Sequence, residues 1–569
     1  MNPGTNGYRK GWERGRLVLS KIGFAIDLTM STIELPTSLS NRSDVQSSTR
    51  RVASPVKGST ADASQGSVAI IGAGPGGLAA AVMLAAQGFA VTIYEAQPVI
   101  GGRTARITRG DFHFDTGPTF FLMPYVLEEV FAAAGRRMAD YVDLKRLDPM
   151  YRLVIGRKGR DPLTLDTTQN ISEMAKRISA VNPRDGAAFA QFIADNRYKL
   201  RHSESILRNP LNNLTDLFGS ELWKDTLKVA PVLAPHKSVH DLLGKYFEDE
   251  FIKLAVCFQS KYLGMSPYDC PSLFTILPFI EYEYGIWHPI GGCNALMKGL
   301  ADVARELGVE VRLNAPVTSV AFDSPTARQA KGVVVHGELQ KHDHIVMNAD
   351  ASHALKTLVP AAQRRTYTDE HLDSRKYSCS TFMMYLGIDG AIDLPHHTIC
   401  VSESYTKNLE EISASGAIPA DPSVYVCNPS RLDPTLAPPG KSSLYILVPV
   451  ANNKIGPVDW AAATPDFRRR TFQQLSKVLG LHNLESRIEQ ELIYTPADWQ
   501  RMGINHGATF NLAHNLTQML HWRPRNRLPD TDNLYLVGGG THPGSGLPTI
   551  FLSAQITSRL IGGRVAKGT

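Results

Sequence analysis

The first residues whose types and spacing could do chemistry are a run of glycines. Gly72-Ala73-Gly74-Pro75-Gly76-Gly77 matches GxGxxG at Gly72, Gly74 and Gly77. Gly72 permits a tight turn, Gly74 lets a pyrophosphate approach the backbone, and Gly77 allows a helix to pack closely on a strand. The helix N-terminus freed by that turn offers N–H donors and a positive dipole end to phosphate. Glu95, 23 positions after Gly72, is the carboxylate such a site needs for ribose hydroxyls. It would repel a 2′-phosphate, which disfavours NADP. Gly101-Gly102-Arg103 follows six residues on. Its glycines let the chain pass near a cofactor, and its arginine can reach a phosphate or lock the loop.

These residues need elements to hold them. Val68 to Ile71 is a short apolar run of the buried parallel-strand type. Leu78 to Gln87 is alanine-rich with helical apolar spacing and stops at Gly88. Phe89 to Tyr94 is a second buried strand, which completes a βαβ unit. Helical patterns follow at Ile171 to Val181 and Asp185 to Tyr198, then an apolar stretch from Phe274 to Ile280. Strand–helix alternation returns with a helix at Asn294 to Leu307 and strands at Val309 to Leu313, Lys331 to Val335 and His344 to Asn348. A strand at Ser442 to Val448 and a helix at Thr464 to Leu479 precede the last strand, Asn533 to Val537. A glycine cluster and a helix from Pro548 to Ile561 end the chain.

The expected fold class is α/β: a discontinuous Rossmann-like FAD-binding domain with an inserted α+β substrate domain. The FAD-binding pieces are 67–150, 285–365 and 531–569. The inserts, 151–284 and 366–530, are expected to build the substrate domain. Residues 37–66 are rich in Ser, Thr, Ala and Gln, and 1–66 is expected to be a disordered extension.

Composition narrows the function classes. The 569 residues are 43% hydrophobic and 20% charged, ordinary globular material. The net charge is +6, and residues 1–66 hold nine Lys or Arg against five Asp or Glu, so the rest is close to neutral. No nucleic-acid-binding face is expected. The six cysteines form no CxxC pair, so neither a disulfide framework nor a metal site is expected. No run of 18 apolar residues occurs, and no transmembrane helix is expected.

The motifs converge on a family. Val68 to Pro118 resembles the start of the carotenoid desaturases of the phytoene or diapophytoene type, within the flavin amine oxidase superfamily. The resemblance continues in Gly285-Ile286-Trp287-His288-Pro289-Ile290-Gly291-Gly292, in Asn348-Ala349-Asp350 and in His396-His397-Thr398. It closes with Asn533 to Pro548, a strand and glycines followed by His542-Pro543-Gly544-Ser545-Gly546-Leu547-Pro548. It covers residues 67–565. His288 is a departure, since the family often has Tyr there. Thr119 to Pro124 and Ser545 to Pro548 look closer to the enzymes of shorter, diapo-type carotenoids.

The resemblance implies FAD as cofactor and dehydrogenation of a CH–CH pair in a hydrophobic polyene: a hydride goes to the flavin while a proton leaves the neighbouring carbon. The closing loop brings a second helix N-terminus to the flavin, with Gly540, Gly544 and Gly546 leaving room for its ring. Asp115-Thr116-Gly117-Pro118 either enters the flavin neighbourhood or is a turn capped by Asp115. The expected acid–base residues are His542, His288 and Asp350. Phe120, Phe121, Leu122, Phe274, Leu277 and Phe279 are the expected tunnel wall. A peripheral position on the cytoplasmic side of a membrane follows, with Pro271 to Trp287, including Tyr282, Tyr284 and Trp287, as the docking patch. The electron acceptor is oxygen or a quinone, and oligomeric state is not legible. Oxidation of a terminal methyl, isomerisation of a polyene and a redox-silent isoprenoid escort are the competing readings.

Overall fold

In the computed structural model residues 65–563 are described, so the expected disordered extension over 1–66 lies outside them except for its last two residues. The first strand, Ser67–Ile71, is the centre of a five-stranded, wholly parallel sheet. Its order is Leu534–Leu536, His344–Met347, Ser67–Ile71, Ala90–Tyr94 and Glu310–Arg312. The strands come from three separated stretches of chain, which is the expected discontinuity.

A strand's side chains alternate between faces, and here each face meets its own core. Val68 and Ile70 join Leu78, Val82 and Leu300 on one side. Ala69 and Ile71 join Val320, Val333, Met347 and Leu355 on the other. The first face is covered by helix Pro75–Ala86, against which helices Asn294–Glu306 and Leu547–Gly562 pack. Helix Pro75–Ala86 is buried almost all round, which its glycines and alanines allow by letting neighbours approach closely.

A second, seven-stranded sheet is mainly antiparallel. Next to its edge strand Ile488–Tyr494 lies Ser380–Ile388, which pairs with that strand and with Ser442–Val450. All nine residues of Ser380–Ile388 are buried. Phe382, Met384 and Leu386 face helix Trp460–Leu479, while Met383 and Tyr385 face Phe112, Phe114 and Trp499. At the far side His397–Val401 pairs in parallel with Arg152–Arg157. Helix Trp460–Leu479 begins four residues before the expected Thr464. Pro465 lies inside the helix, and Asp459 supplies the cap by accepting from the Ala461 and Ala462 N–H groups.

After strand Arg160–Asp166 the chain up to residue 285 is helical. Helix Pro183–Arg208 is capped by Asn182 and outruns the expected Asp185 to Tyr198, because Leu200, Ser203 and Ile206 continue its buried stripe. Helix Ile276–Tyr284 packs against it, with Tyr282 edge-on to Phe189 at 5.1 Å. This corrects one expectation. Phe279, Ile280, Glu281 and Tyr282 are buried, so Pro271 to Trp287 is not an outward docking face. Leu214, Phe218, Trp223, Leu227 and Val232 of this insert are exposed, over a small core of Ile206, Leu211, Leu217, Leu222 and Val229.

Candidate functional site

The glycine turn sits at the C-terminal edge of the parallel sheet, between strand Ser67–Ile71 and helix Pro75–Ala86. Gly72 has φ +100°, a left-handed conformation that glycine adopts without strain. A Cβ on Gly77 would lie 2.2 Å from the Gly72 carbonyl oxygen. Asn348 braces the turn by donating from Nδ2 to that same oxygen at 3.0 Å. Glu95 ends the neighbouring strand and is buried. Its Oε2 accepts from the Ala73 N–H at 2.7 Å and its Oε1 from the Gln97 N–H at 2.9 Å. The carboxylate is thereby aimed beside the turn with lone pairs to spare.

The second glycine pair closes on the first. The Gly101 N–H donates to the Ala73 carbonyl at 2.8 Å, and a Cβ on Gly102 would come within 3.4 Å of Gly74 Cα. Arg103 takes the loop-locking arrangement. Its guanidinium is partly buried and donates to the Thr509 carbonyl at 2.7 Å and to Asn511 Oδ1 at 3.3 Å.

The third contribution is the loop after strand Leu534–Leu536. Gly540 lies where a Cβ would meet Ala351 Cβ at 2.6 Å, and Gly544 where one would meet His514 Nε2 at 2.6 Å. Gly546 is the N-cap of helix Leu547–Gly562. The Ser545 N–H donates to His514 Nε2 at 3.1 Å, which suits a neutral imidazole. Burial holds His514 well below the usual histidine range. Arg523, wholly buried, clamps this loop to the segment before it. It donates to the carbonyls of Gly539 at 2.7 Å, Thr541 at 3.2 Å and Leu512 at 3.2 Å. Burial, with Arg375 nearby, lowers its pKa to about 9. No spacing in the sequence points to this arginine.

The three expected acid–base residues stand apart from one another. Asp350 caps helix Ala351–Leu358, its Oδ1 accepting from the His353 N–H at 3.1 Å. Burial raises its pKa, while Arg103 opposes the rise. His542 is buried with neither ring nitrogen in a hydrogen bond of good geometry; the nearest backbone groups belong to Ile206 and Asn209. Burial lowers its pKa to about 4. His288 Nε2 donates to Asp433 Oδ2 at 3.0 Å.

His288 belongs to a buried polar centre whose remaining members come from four stretches of chain. Its ring lies 4.6 Å from that of His396, and the Nδ1 atoms of His396 and His397 are 3.3 Å apart. Tyr425 OH lies 2.7 Å from both His397 Nδ1 and Thr119 Oγ1. Phe120 stacks on His397 at 4.1 Å and 12°. Of the expected tunnel residues, Phe121 and Phe279 are buried, and Phe120, Leu122, Phe274 and Leu277 are partly buried against the same core. Asp115 caps the start of helix Asn294–Glu306, accepting from the Cys293 and Asn294 N–H groups at 2.9 and 3.2 Å. Burial raises it to about 6. The partners of Asp115 thus lie not in its own turn, as the turn-capping reading had it, but at a helix start 178 residues along the chain.

The residues fit a flavin nucleotide. Three glycine loops converge without side chains, a helix N-terminus opens at Pro75, and a fixed carboxylate stands at Glu95. Fold and site together define a flavin-dependent oxidoreductase. A family model, flavin-containing amine oxidoreductase, matches residues 75–562. A 4,4′-diapophytoene desaturase (4,4′-diapolycopene-forming) of Methylomonas sp is 44% identical over 87% of this chain and 94% of its own length. An all-trans-zeta-carotene desaturase of Myxococcus xanthus is 39% identical over 88% and 94%. A solved oxidoreductase from Methanosarcina mazei shares the fold with a TM-score of 0.57 at 16% identity, over 86% of this chain and 98% of its own. The chain belongs to the flavin-containing amine oxidoreductase family and, within it, to the carotenoid desaturases.

Proposed function

We propose that this chain is an FAD-dependent desaturase that dehydrogenates a CH–CH pair of a colourless C30 isoprenoid, with the C40 homologue as the competing substrate. The observation that carries the reading is 44% identity, over nearly the whole length of both chains, to an enzyme named for 4,4′-diapophytoene. Gly72, Gly74, Gly77, Gly102 and Glu95 would hold the ADP half of FAD. Arg103 would keep the second glycine loop in place, and Gly540, Gly544 and Gly546 would leave room for the ring. A bound flavin supplies the two-electron acceptor for the hydride. The protein supplies an apolar, water-excluding surround that orients the reacting carbons.

Among the described residues no helix is long and apolar enough to cross a membrane. A bilayer-soluble substrate nevertheless requires a route to the enzyme. Trp223 and Leu227, one turn apart on helix Trp223–Val229, are exposed beside Lys224 and Lys228. Together with Leu214 and Phe218 they suit the interface of an anionic membrane on the cytoplasmic side. Oxygen or a quinone would serve as the final electron acceptor.

The test is a chromatographic profile of pigments from cells supplied with the colourless C30 or C40 precursor and expressing this chain. New conjugated absorbance with stepwise loss of two hydrogens from the C30 precursor is the expected result. Oxygen added to an already coloured pigment would replace the reading with terminal-methyl oxidation. Geometric isomers alone would make it an isomerase. No change, with a protein that refuses FAD, would make it an escort.

A further inference from the structure

Glu281 is a buried carboxyl with no counter-ion among the described residues. Its side chain is closed to solvent. Oε2 accepts from the Tyr151 hydroxyl and from Gln259 Nε2, each at 3.0 Å, while Oε1 has no hydrogen-bond partner. Tyr262 stands beside the carboxyl without a hydrogen bond of good geometry. The titratable groups facing it are the phenols of Tyr151, Tyr262 and Tyr282, and burial lifts all three far from ionisation at neutral pH. Among the described residues no lysine, arginine or histidine offsets its charge. An unpaired carboxylate in an apolar interior is strongly disfavoured unless a proton or a cation arrives.

The surroundings suit a delocalised cation. The Phe120 ring lies 5.3 Å from Tyr262 and 6.4 Å from Tyr151. Phe258 lies edge-on to both, at 5.4 Å from Tyr151 and 6.0 Å from Tyr262. Aromatic faces attract positive charge, most when water is excluded. The position is also connected to the glycine loop of the site. Phe274, just before helix Ile276–Tyr284, packs edge-on against His514 at 5.8 Å, and His514 holds the Ser545 N–H. Glu281 stands on that helix seven residues further on, about 10 Å along its axis.

We propose that Glu281 accepts the proton in the dehydrogenation, within a wall of Phe120, Tyr151, Phe258 and Tyr262 that faces the positive charge developing on the polyene. The inference rests on the desaturase reading. One C–H bond breaks with its electron pair leaving as hydride to the flavin, which is reduced. The C–H bond on the neighbouring carbon breaks, its electron pair becomes the second bond of the new C=C, and its proton forms an O–H bond at Glu281 Oε1. The substrate is oxidised by two electrons. The carboxyl, which burial raises to about 7, is then poised between its two states at neutral pH.

The test is rapid anaerobic mixing of the flavin-loaded enzyme with the colourless C30 precursor in detergent micelles, following flavin bleaching across pH 5–9. Wild type is expected to bleach faster as pH rises through neutrality. Glu281→Gln is expected to lose about 100-fold or more in rate together with that pH dependence, and Glu281→Asp to keep the dependence at reduced rate. Flavin content, flavin spectrum and bleaching by dithionite should stay unchanged in both. In the oxidised enzyme without substrate, the infrared band of a protonated carboxyl should titrate near neutrality in wild type and be missing from Glu281→Gln. A Glu281→Gln enzyme that bleaches at the wild-type rate, or that keeps the wild-type pH dependence, overturns the proposal. Wild-type flavin that no polyene bleaches overturns the desaturase reading, and the proposal with it.

Discussion

His288 Nε2 lies 3.0 Å from Asp433 Oδ2, and solvent reaches almost nothing of either side chain. Asp433 also accepts from the Gly291 N–H at 2.6 Å and, through Oδ1, from the Thr435 N–H and hydroxyl at 3.0 and 2.7 Å. The carboxylate thus ties the Trp287-His288-Pro289 strand to the turn after Asn428. These bonds, His288 first among them, outweigh burial and lower the Asp433 pKa from 3.8 to about 2. Its folded pKa is below the unfolded one, so its stabilisation is full above about pH 4 and is lost as pH falls through 2. Asp433→Asn should cost about 1.5–3 kcal/mol at pH 7, the range for bonds to a charged group. Melting curves should show the gap to wild type shrinking below pH 4.

Glu281 has the opposite sign. Burial, opposed by its hydrogen bonds, raises it from 4.5 to about 7. A carboxyl whose folded pKa is raised costs nothing below the unfolded pKa, and its penalty grows until pH exceeds the folded one. Ligand-free Glu281→Gln should therefore gain on wild type by up to about 3 kcal/mol between pH 4.5 and 8. Melting temperatures across that window check it; parallel curves for the two proteins would contradict a titrating Glu281.

Gly77→Ala places a methyl 2.2 Å from the Gly72 carbonyl, so turn or helix must move. The expected product is a folded protein without flavin colour. Glu95→Ala should fold less firmly as well as bind less flavin, since the Ala73 and Gln97 N–H groups lose their acceptor. Absorbance of the purified proteins, before and after adding FAD, separates the two effects.

Trp223→Asp with Leu227→Asp replaces two exposed apolar side chains on one helical face. Flotation with vesicles containing anionic lipid should fall at least tenfold while flavin content is unchanged. Retained flotation would move the docking face elsewhere.

Spacing along the chain determined a good deal of this protein. GxGxxG, Glu95 at the end of the next strand and the closing Gly540 to Pro548 loop are local signals. Each depends on a turn, a cap or a strand end formed by near neighbours, so they specify the nucleotide unit and the family without any long-range contact. Only the tertiary structure decided the rest. Pro271 to Trp287 reads as apolar and interfacial in sequence, and its helix Ile276–Tyr284 is a core helix because Pro183–Arg208 packs against it. Asp115, a turn residue by its neighbours, caps a helix that starts at Asn294. Asp433, Arg523 and Glu281 carry no motif at all. Their chemistry arises from burial and from partners brought in from distant chain, as with Glu281 and Tyr151, 130 residues apart. Charge in a low-dielectric interior is governed by what folding packs around it, and that arrangement has no spacing in the sequence to announce it.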